Sequence, residues 1–446
     1  MDKPTEPRPA PVPATRRTTP AGDVRARWAW AEPAVWTERM LAALERGVRG
    51  GKWFSLIDKV YARPTLAAAF ARVKANDGAA GVDHVTVARF ESDLDANLDR
   101  LTRSLRDGTF RPQAVRRAWI PKPGSRERRP LGIPTVRDRV VQTALRTALE
   151  PIFERDFAEH SYGFRPNRGA KDALRRVNGL LRAGHTWVVD ADIRSYFDNI
   201  PREALLERVR AKVSDGRVLA LLGAYLEQSV MDGMASWTPE AGTPQGAVVS
   251  PLLSNIYLDP LDHVMAERGH AMVRYADDFV ILCRSEAEAR EALAFVAAWM
   301  AEAGLSLHPD KTCIVDATCK GGFDFLGYHF ERDYRWPRKK SLAKLKNAIR
   351  AKTRRANGHS LDAIITDVNR ILQGWFEYFK HSHWTTFDRL DRWIRMRLRS
   401  ILRKRKKRRG RGRGADHQRW PNAFFAEHGL FSLAAAHATL RQSSRR

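Results

Sequence analysis

MVRYADDFVILC, residues 272–283, sets two β-rich apolar runs on either side of Ala276-Asp277-Asp278. That pattern reads as a β-hairpin with acids at its turn. Adjacent carboxylates repel each other, and a bound divalent cation would offset the repulsion and take their oxygens as ligands. A solvated turn would also favour Asp, so the hairpin needs a second signal. It lies about 85 residues upstream, where the apolar run Trp187–Val189 leads into Asp190-Ala191-Asp192. Asp190 and Asp192 share one face of that strand by alternation, and spacing does not choose between them. One of them with Asp277 and Asp278 makes a three-carboxylate cluster. Such a cluster can hold two Mg²⁺ ions ~3.5–4 Å apart for in-line phosphoryl transfer, one activating a 3′-hydroxyl and one steadying the leaving pyrophosphate.

Around these acids the chain resembles bacterial group II intron reverse transcriptases. Asp192-Ile-Arg-Ser-Tyr-Phe-Asp-Asn-Ile is similar to motif A, and Tyr275-Ala-Asp-Asp to motif C. The resemblance selects Asp192 over Asp190. RRPLGIPTVRDRVVQ (128–142) is similar to the fingers segment of these enzymes, and SYGFRPNR (161–168) to their next block. GTPQGAVVSPLLSNIYL (242–258) resembles motif B, GLSLHPDKT (304–312) motif D, and FLGY (325–328) motif E. These matches run in order from about residue 60 to 330. They imply an α+β right-hand polymerase fold, with fingers and palm, followed by an α-helical thumb/maturase domain. The implied activity is RNA-directed DNA synthesis with two Mg²⁺ ions, dNTPs, and an RNA template carrying a DNA primer.

The resemblance also distributes roles. It places Lys122 and Arg129, in a basic loop punctuated by Pro and Gly, on the triphosphate, where an Arg binds bidentately. Arg128 differs from Arg129 only by the register of the match. Phe197 is implied as the steric gate beneath the sugar. Gln245 and Gly246 are implied to contact nucleotide and template, glycine permitting close backbone approach. Lys311 is implied to reach the pyrophosphate. Ala247 and Val248 depart from the usual Gly and Ile of motif B; Ala is small, so activity is expected to survive with altered local packing.

Outward from the core, composition sets further bounds. The 446 residues are 43% hydrophobic, enough for two or three domains, and carry a net charge of +27 with pI about 10.5. That basicity points to a polyanion partner. The three cysteines, Cys283, Cys313 and Cys319, form no C-x-x-C pair, which argues against a zinc ribbon. Neither a secretion signal nor an apolar run of membrane-spanning length is present.

Residues 1–25, rich in Pro, Thr and Arg, read as a disordered leader. Residues 26–185 read as N-terminal extension and fingers, and 186–330 as palm. Residues 335–414 hold 26 Lys and Arg against 5 Asp and Glu. Within 335–402, LQGWFEYF (372–379) resembles the thumb/maturase domain X, its aromatics expected in the core. Leu390, Trp393, Ile394, Leu398, Ile401 and Leu402 follow helical spacing. Arg392, Arg395, Arg397 and Arg399 fall largely off that stripe, giving an expected basic outer face. With Arg403, Lys404 and Arg405, this face is the expected RNA-binding surface. Residues 403–446 read as a flexible basic linker and a short tail resembling that of endonuclease-lacking members. Expected partners are group II intron RNA and target DNA, and the expected location is cytoplasmic, at the nucleoid or in an RNA–protein particle. Two other readings compete: a bacterial reverse transcriptase without an intron, which the domain-X-like region opposes, and an RNA-binding splicing factor without polymerase activity, which the three intact Asp residues oppose.

Overall fold

The computed structural model describes residues 24–121, 128–233, 235–243, 245–332, 334–412 and 414–443. Lys122 and most of the expected leader lie outside them, although Val24 and Arg25 already belong to a short helix, Val24–Arg27.

Eleven strands, β1 to β11, are found among the described residues. β1 (Val115–Pro121) and β2 (Arg128–Ile133) form an antiparallel pair. β4 (Val230–Asp232) runs parallel to β1, and β5 (Ala235–Trp237) closes this fingers sheet in the order β2-β1-β4-β5. The palm sheet is wholly antiparallel in the order β6-β7-β3-β8. Its strands are β3 (Trp187–Asp192), β6 (Ala271–Tyr275), β7 (Asp278–Cys283) and β8 (Cys313–Asp316). β9 (Phe323–Phe325), β10 (Tyr328–Glu331) and β11 (Tyr334–Pro337) form a third sheet.

The palm sheet is buried on both faces, so β7 is apolar at every position after Asp278 rather than alternating. Phe279, Ile281 and Cys283 face one core, shared with Leu253, Val296 and Leu145 of three long helices. Val280 and Leu282 face the other, with Leu174, Val177 and Phe325. By the same two-residue period, Asp190, Asp192 and Asp278 fall on the second face. The first core runs continuously from Trp28 to Leu305, so N-terminal extension, fingers and palm are one packed body.

The thumb has its own core. Helix Leu361–Phe379 starts at Ser360, whose hydroxyl accepts from the Ala363 N–H, and buries Leu361, Ile364, Ile365, Val368, Leu372, Phe376 and Phe379 along one stripe. The expected break at 402/403 is not a packing boundary. Helix Thr385–Arg405 runs through it, and the tail folds back to bury Trp420, Phe425 and Leu433 in the same core. Asp391, beneath the stripe, accepts from the Leu433 and Ala434 N–H groups and starts the last helix, Leu433–Ser443. Apolar residues spaced every three or four along 420–433 explain the difference: a solvated linker has no use for them.

Candidate active site and nucleic-acid surface

The turn between β6 and β7 is tight: Tyr275 pairs with Asp278 across it, leaving only Ala276 and Asp277. Ala276 sits at φ 62°, a left-handed conformation that a non-glycine residue holds only when its surroundings enforce it. Arg274 supplies part of that enforcement. It is fully buried and donates from Nη1 to the Ala276 carbonyl (2.9 Å) and to Asn255 Oδ1 (3.0 Å). Its Nε donates to Asp262 Oδ1 at 2.8 Å, and its Nη2 bonds Asp262 Oδ2. Asn255 in turn donates to the Gly163 carbonyl (2.8 Å). A Cβ at Gly163 would stand 2.3 Å from the Ala276 nitrogen, so only glycine fits under the turn.

β3 brings its acids to this turn, with Asp192 directly opposite Asp278. Burial, then the neighbouring Asp190, Asp277 and Asp192 charges, push Asp278 up to about 7. Burial, then Asp324 and Asp192, push Asp190 up to about 6. Asp277 is also raised, mainly by burial, with the Arg129 guanidinium opposing the rise. The 305–308 segment locks onto the end of β3: His308 N–H donates to the Asp192 carbonyl (2.7 Å) and Arg194 N–H to the Ser306 carbonyl (2.9 Å). Lys311 thereby reaches Asp192, donating from Nζ to Oδ2 at 2.7 Å. A cation thus already rests on one acid. Among the described residues no three His, Cys, Asp or Glu side chains form a ready-made metal cage. The acids are nonetheless hard oxygen donors whose mutual repulsion a divalent ion would relieve.

Asp192 and Asp277 open into a cleft of about 800 Å³. Arg128, Arg129, Phe197, Gln245, Gly246 and Lys311 line the same cleft, so every described residue expected at the nucleotide is gathered there. Arg128 and Arg129 both line it. Phe197 is half-buried; its carbonyl accepts from the Thr243 N–H (2.7 Å), and a Cβ at Gly242 would come within 2.5 Å of that oxygen. Gln245 donates from Nε2 to both oxygens of Asp198 (3.0 Å each), while its carbonyl accepts from Gly132 of β2 (2.7 Å). Gly246, at φ +104°, makes its close approach to the Gly132 carbonyl. Its glycine requirement in this structure therefore comes from docking motif B onto the fingers.

Several of these residues lay outside the expected set. Arg274, Asp262 and Asn255 hold the turn. A charged residue inside an apolar strand, as in MVRY, was the available signal. Its partners Asp262 and Asn255, on the helix Ser250–Glu267, are separated from it in sequence and identifiable only by packing.

The expected basic face of helix Thr385–Arg405 requires correction at two positions. Arg399 is buried, donating from Nε to the Trp420 carbonyl (2.8 Å) and from Nη2 to Asn422 (2.9 Å), because the tail packs over it. Arg403 donates to the buried Asp416 (2.7 Å) and to the Arg409 carbonyl. Both secure the tail. Arg395 is half-buried, and Arg397 is tied to Thr353. Arg392, Lys404 and Arg405 remain exposed, Arg392 in an ion pair with Asp388 and Arg405 bonded to the His359 carbonyl. The aromatics Phe376 and Phe379 are buried, as expected of core.

Fingers and a carboxylate-bearing palm around one cleft, followed by a helical thumb, define a nucleic-acid polymerase. Residues 120–330 match the reverse transcriptase (RNA-dependent DNA polymerase) family, and residues 342–420 the group II intron maturase-specific domain. The chain is 33% identical to protein YkfC of Escherichia coli over 346 residues, covering 69% of this chain and 86% of that protein. It is 40% identical over 165 residues to the group II intron-encoded protein LtrA of Lactococcus lactis, covering 37% of this chain and 27% of LtrA. Nuclear intron maturase 4 of Arabidopsis thaliana matches at 30% over 215 residues, covering 48% of this chain and 26% of that protein. The chain belongs to the group II intron-encoded reverse transcriptase/maturase family. It is an RNA-directed DNA polymerase joined to a maturase domain, a combination that implies binding of intron RNA and nucleic-acid substrates. The polymerase family implies a divalent metal. No helix among the described residues is long and apolar enough to cross a membrane.

Proposed function

We propose that the cleft extends a DNA primer on an RNA template from dNTPs by two-Mg²⁺ nucleotidyl transfer, and that this activity copies the intron into target DNA. The observation that carries the reading is the convergence of Asp192 and Asp277 on one cleft with Arg129, Phe197, Gln245 and Lys311. Asp192, Asp277 and Asp278 would hold the ions, which lower the 3′-hydroxyl pKa and neutralise the triphosphate. The primer 3′-oxygen bonds to the α-phosphorus as the bond to pyrophosphate breaks. Arg129, with Lys122, binds the phosphates as planar and point charges respectively. Phe197 lies beneath the sugar and rejects a 2′-hydroxyl. Gln245 and Gly246 form the wall against base and template. Lys311, which donates to Asp192 Oδ2 here, would reach the departing pyrophosphate from the same cleft wall.

The exposed thumb cations Arg392, Lys404 and Arg405 engage intron RNA through its phosphates, and the protein assists splicing as a particle with that RNA, at the nucleoid when it reaches target DNA. Primer extension on an annealed RNA template tests the core of this reading. Asp277→Ala and Asp192→Ala abolish synthesis in Mg²⁺ while intron RNA binding persists; extension by either variant overturns the assignment.

A further inference from the structure

The palm and thumb enclose a second cleft, of about 680 Å³, that polymerase chemistry does not use. It opens between the end of helix Ala170–Arg182, strand β11, the 380–384 junction and the last helix. A smaller adjoining hollow reaches Thr186, just ahead of β3. Asp192 ends that strand, so the Thr186 end of the hollow lies about 20 Å from Asp192 at ~3.3 Å per residue. The lining of the main cleft contains Arg182, Arg335, Lys380 and Arg441 and no Asp or Glu. The hollow adds Glu331, whose carboxylate already accepts from the Gly321 N–H (3.2 Å) and contacts His329 (3.5 Å).

Two large aromatic side chains stand open here: Tyr334 is 54% exposed and Trp384 53%. Both rings flank His383, at centroid distances of 4.9 Å and 5.6 Å. The platform is braced from behind. His383 N–H donates to the Arg335 carbonyl (2.8 Å), and Arg335 Nε donates to the His381 carbonyl (2.7 Å), tying β11 to the start of the thumb helix. Solvating two such rings is unfavourable, and the braced backbone keeps them open rather than letting them collapse into the thumb core.

We propose that this cleft binds an unpaired segment of RNA, its bases stacked on Trp384 and Tyr334 and its phosphates held by Arg182 and Arg441. Base stacking needs an aromatic face and tolerates any base, while guanidinium forks match phosphate oxygens. A double helix presents no free base faces, so the cleft selects loops, bulges or single strands over duplex. Choosing RNA over a protein segment rests on the intron-maturase reading and on a main-cleft lining that carries four cationic side chains and no acid.

The test uses the full chain and a fluorescent 12-nucleotide single-stranded RNA, with excess unlabelled primer–template present to fill the polymerase cleft. Trp384→Ala and Tyr334→Ala are expected to raise the Kd for the single strand by about 5- to 100-fold, and duplex RNA affinity much less. Trp384→Phe restores single-strand binding, and the exposed position leaves the melting temperature unchanged. RNA carrying 4-thiouridine crosslinks to the peptide containing Trp384. Single-strand affinity within twofold of wild type, or equal losses for single strand and duplex, overturns the proposal. So do 4-thiouridine crosslinks that fall only on peptides outside this cleft. Wild-type primer extension on the same preparation reports separately on the polymerase reading, so failure of one is distinguishable from failure of the other.

Discussion

Arg274 and Asp262 form a buried ion pair, each side chain 1% exposed, and the third arm of the same guanidinium holds the carbonyl of Ala276 beside Asp277 and Asp278. A buried pair of this kind contributes little net stability, but removing one partner leaves an uncompensated charge. Arg274→Leu is therefore expected to cost about 3–5 kcal/mol in denaturant unfolding. Arg274→Lys keeps a charge for Asp262 and loses the fork to Ala276. Its kcat for primer extension should fall by up to about 100-fold through misplacement of Asp277, with little change in KM for primer–template. A normal kcat for Arg274→Lys would show that the turn keeps its shape without that bond.

Asp278 carries a stability cost that depends on pH. Its folded pKa, about 7, lies above the ordinary carboxylate value because of burial and three neighbouring acids. The folded state thus holds this proton more tightly than the unfolded chain, and stability falls as pH rises from about 4 through 7. Asp278→Asn removes the charge, so its melting temperature should exceed wild type by about 1–3 °C at pH 8 and match it near pH 4. Mg²⁺ should narrow the gap at pH 8 by stabilising the wild type, with all three acids, more than the variant, which keeps two. Scanning fluorimetry at both pH values reads this directly; a gap that is the same at both would remove the charge argument.

Phe197 is positioned by its own carbonyl, pinned through Thr243 and Gly242, with its ring on the cleft wall. Phe197→Ala opens space beneath the sugar. The ratio of ribonucleotide to deoxyribonucleotide kcat/KM should rise about tenfold or more. Because the ring also packs against the main core, the variant should melt earlier. Lower stability with an unchanged ratio would make Phe197 a packing residue alone.

The thumb cations divide by what they touch. Neutralising Arg392, Lys404 and Arg405 together should weaken intron RNA binding and flatten the slope of log K against log salt by up to about 2–3, with the fold retained. Arg399→Gln should do the reverse: a loss of about 1–3 kcal/mol in stability, as the Trp420 carbonyl loses its buried donor, with the salt slope kept. Titrating both variants at four salt concentrations separates the two behaviours. A flattened slope for Arg399→Gln at unchanged stability would return it to the RNA surface.

The sequence by itself determined three of the four palm strands (β8 excepted), the hairpin that carries Asp277 and Asp278, the shared face of Asp190 and Asp192, and the buried stripe of helix Thr385–Arg405. These are local matters: alternation and 3.6-residue periodicity are properties of a short stretch and its burial. Ordered motifs also named the cleft residues. Tertiary structure alone decided which charges are free. Arg399 and Arg392 sit seven residues apart on one helix and read alike, but a tail more than twenty residues away covers the first and leaves the second in water. It alone joined Arg274 to Asp262 and Asn255, and set Tyr334 and Trp384, from β11 and the thumb, on one cleft. Whether a polar or aromatic side chain is a brace, a core residue or a surface contact depends on what the rest of the chain brings against it. That is a contact between distant segments, which no local pattern encodes.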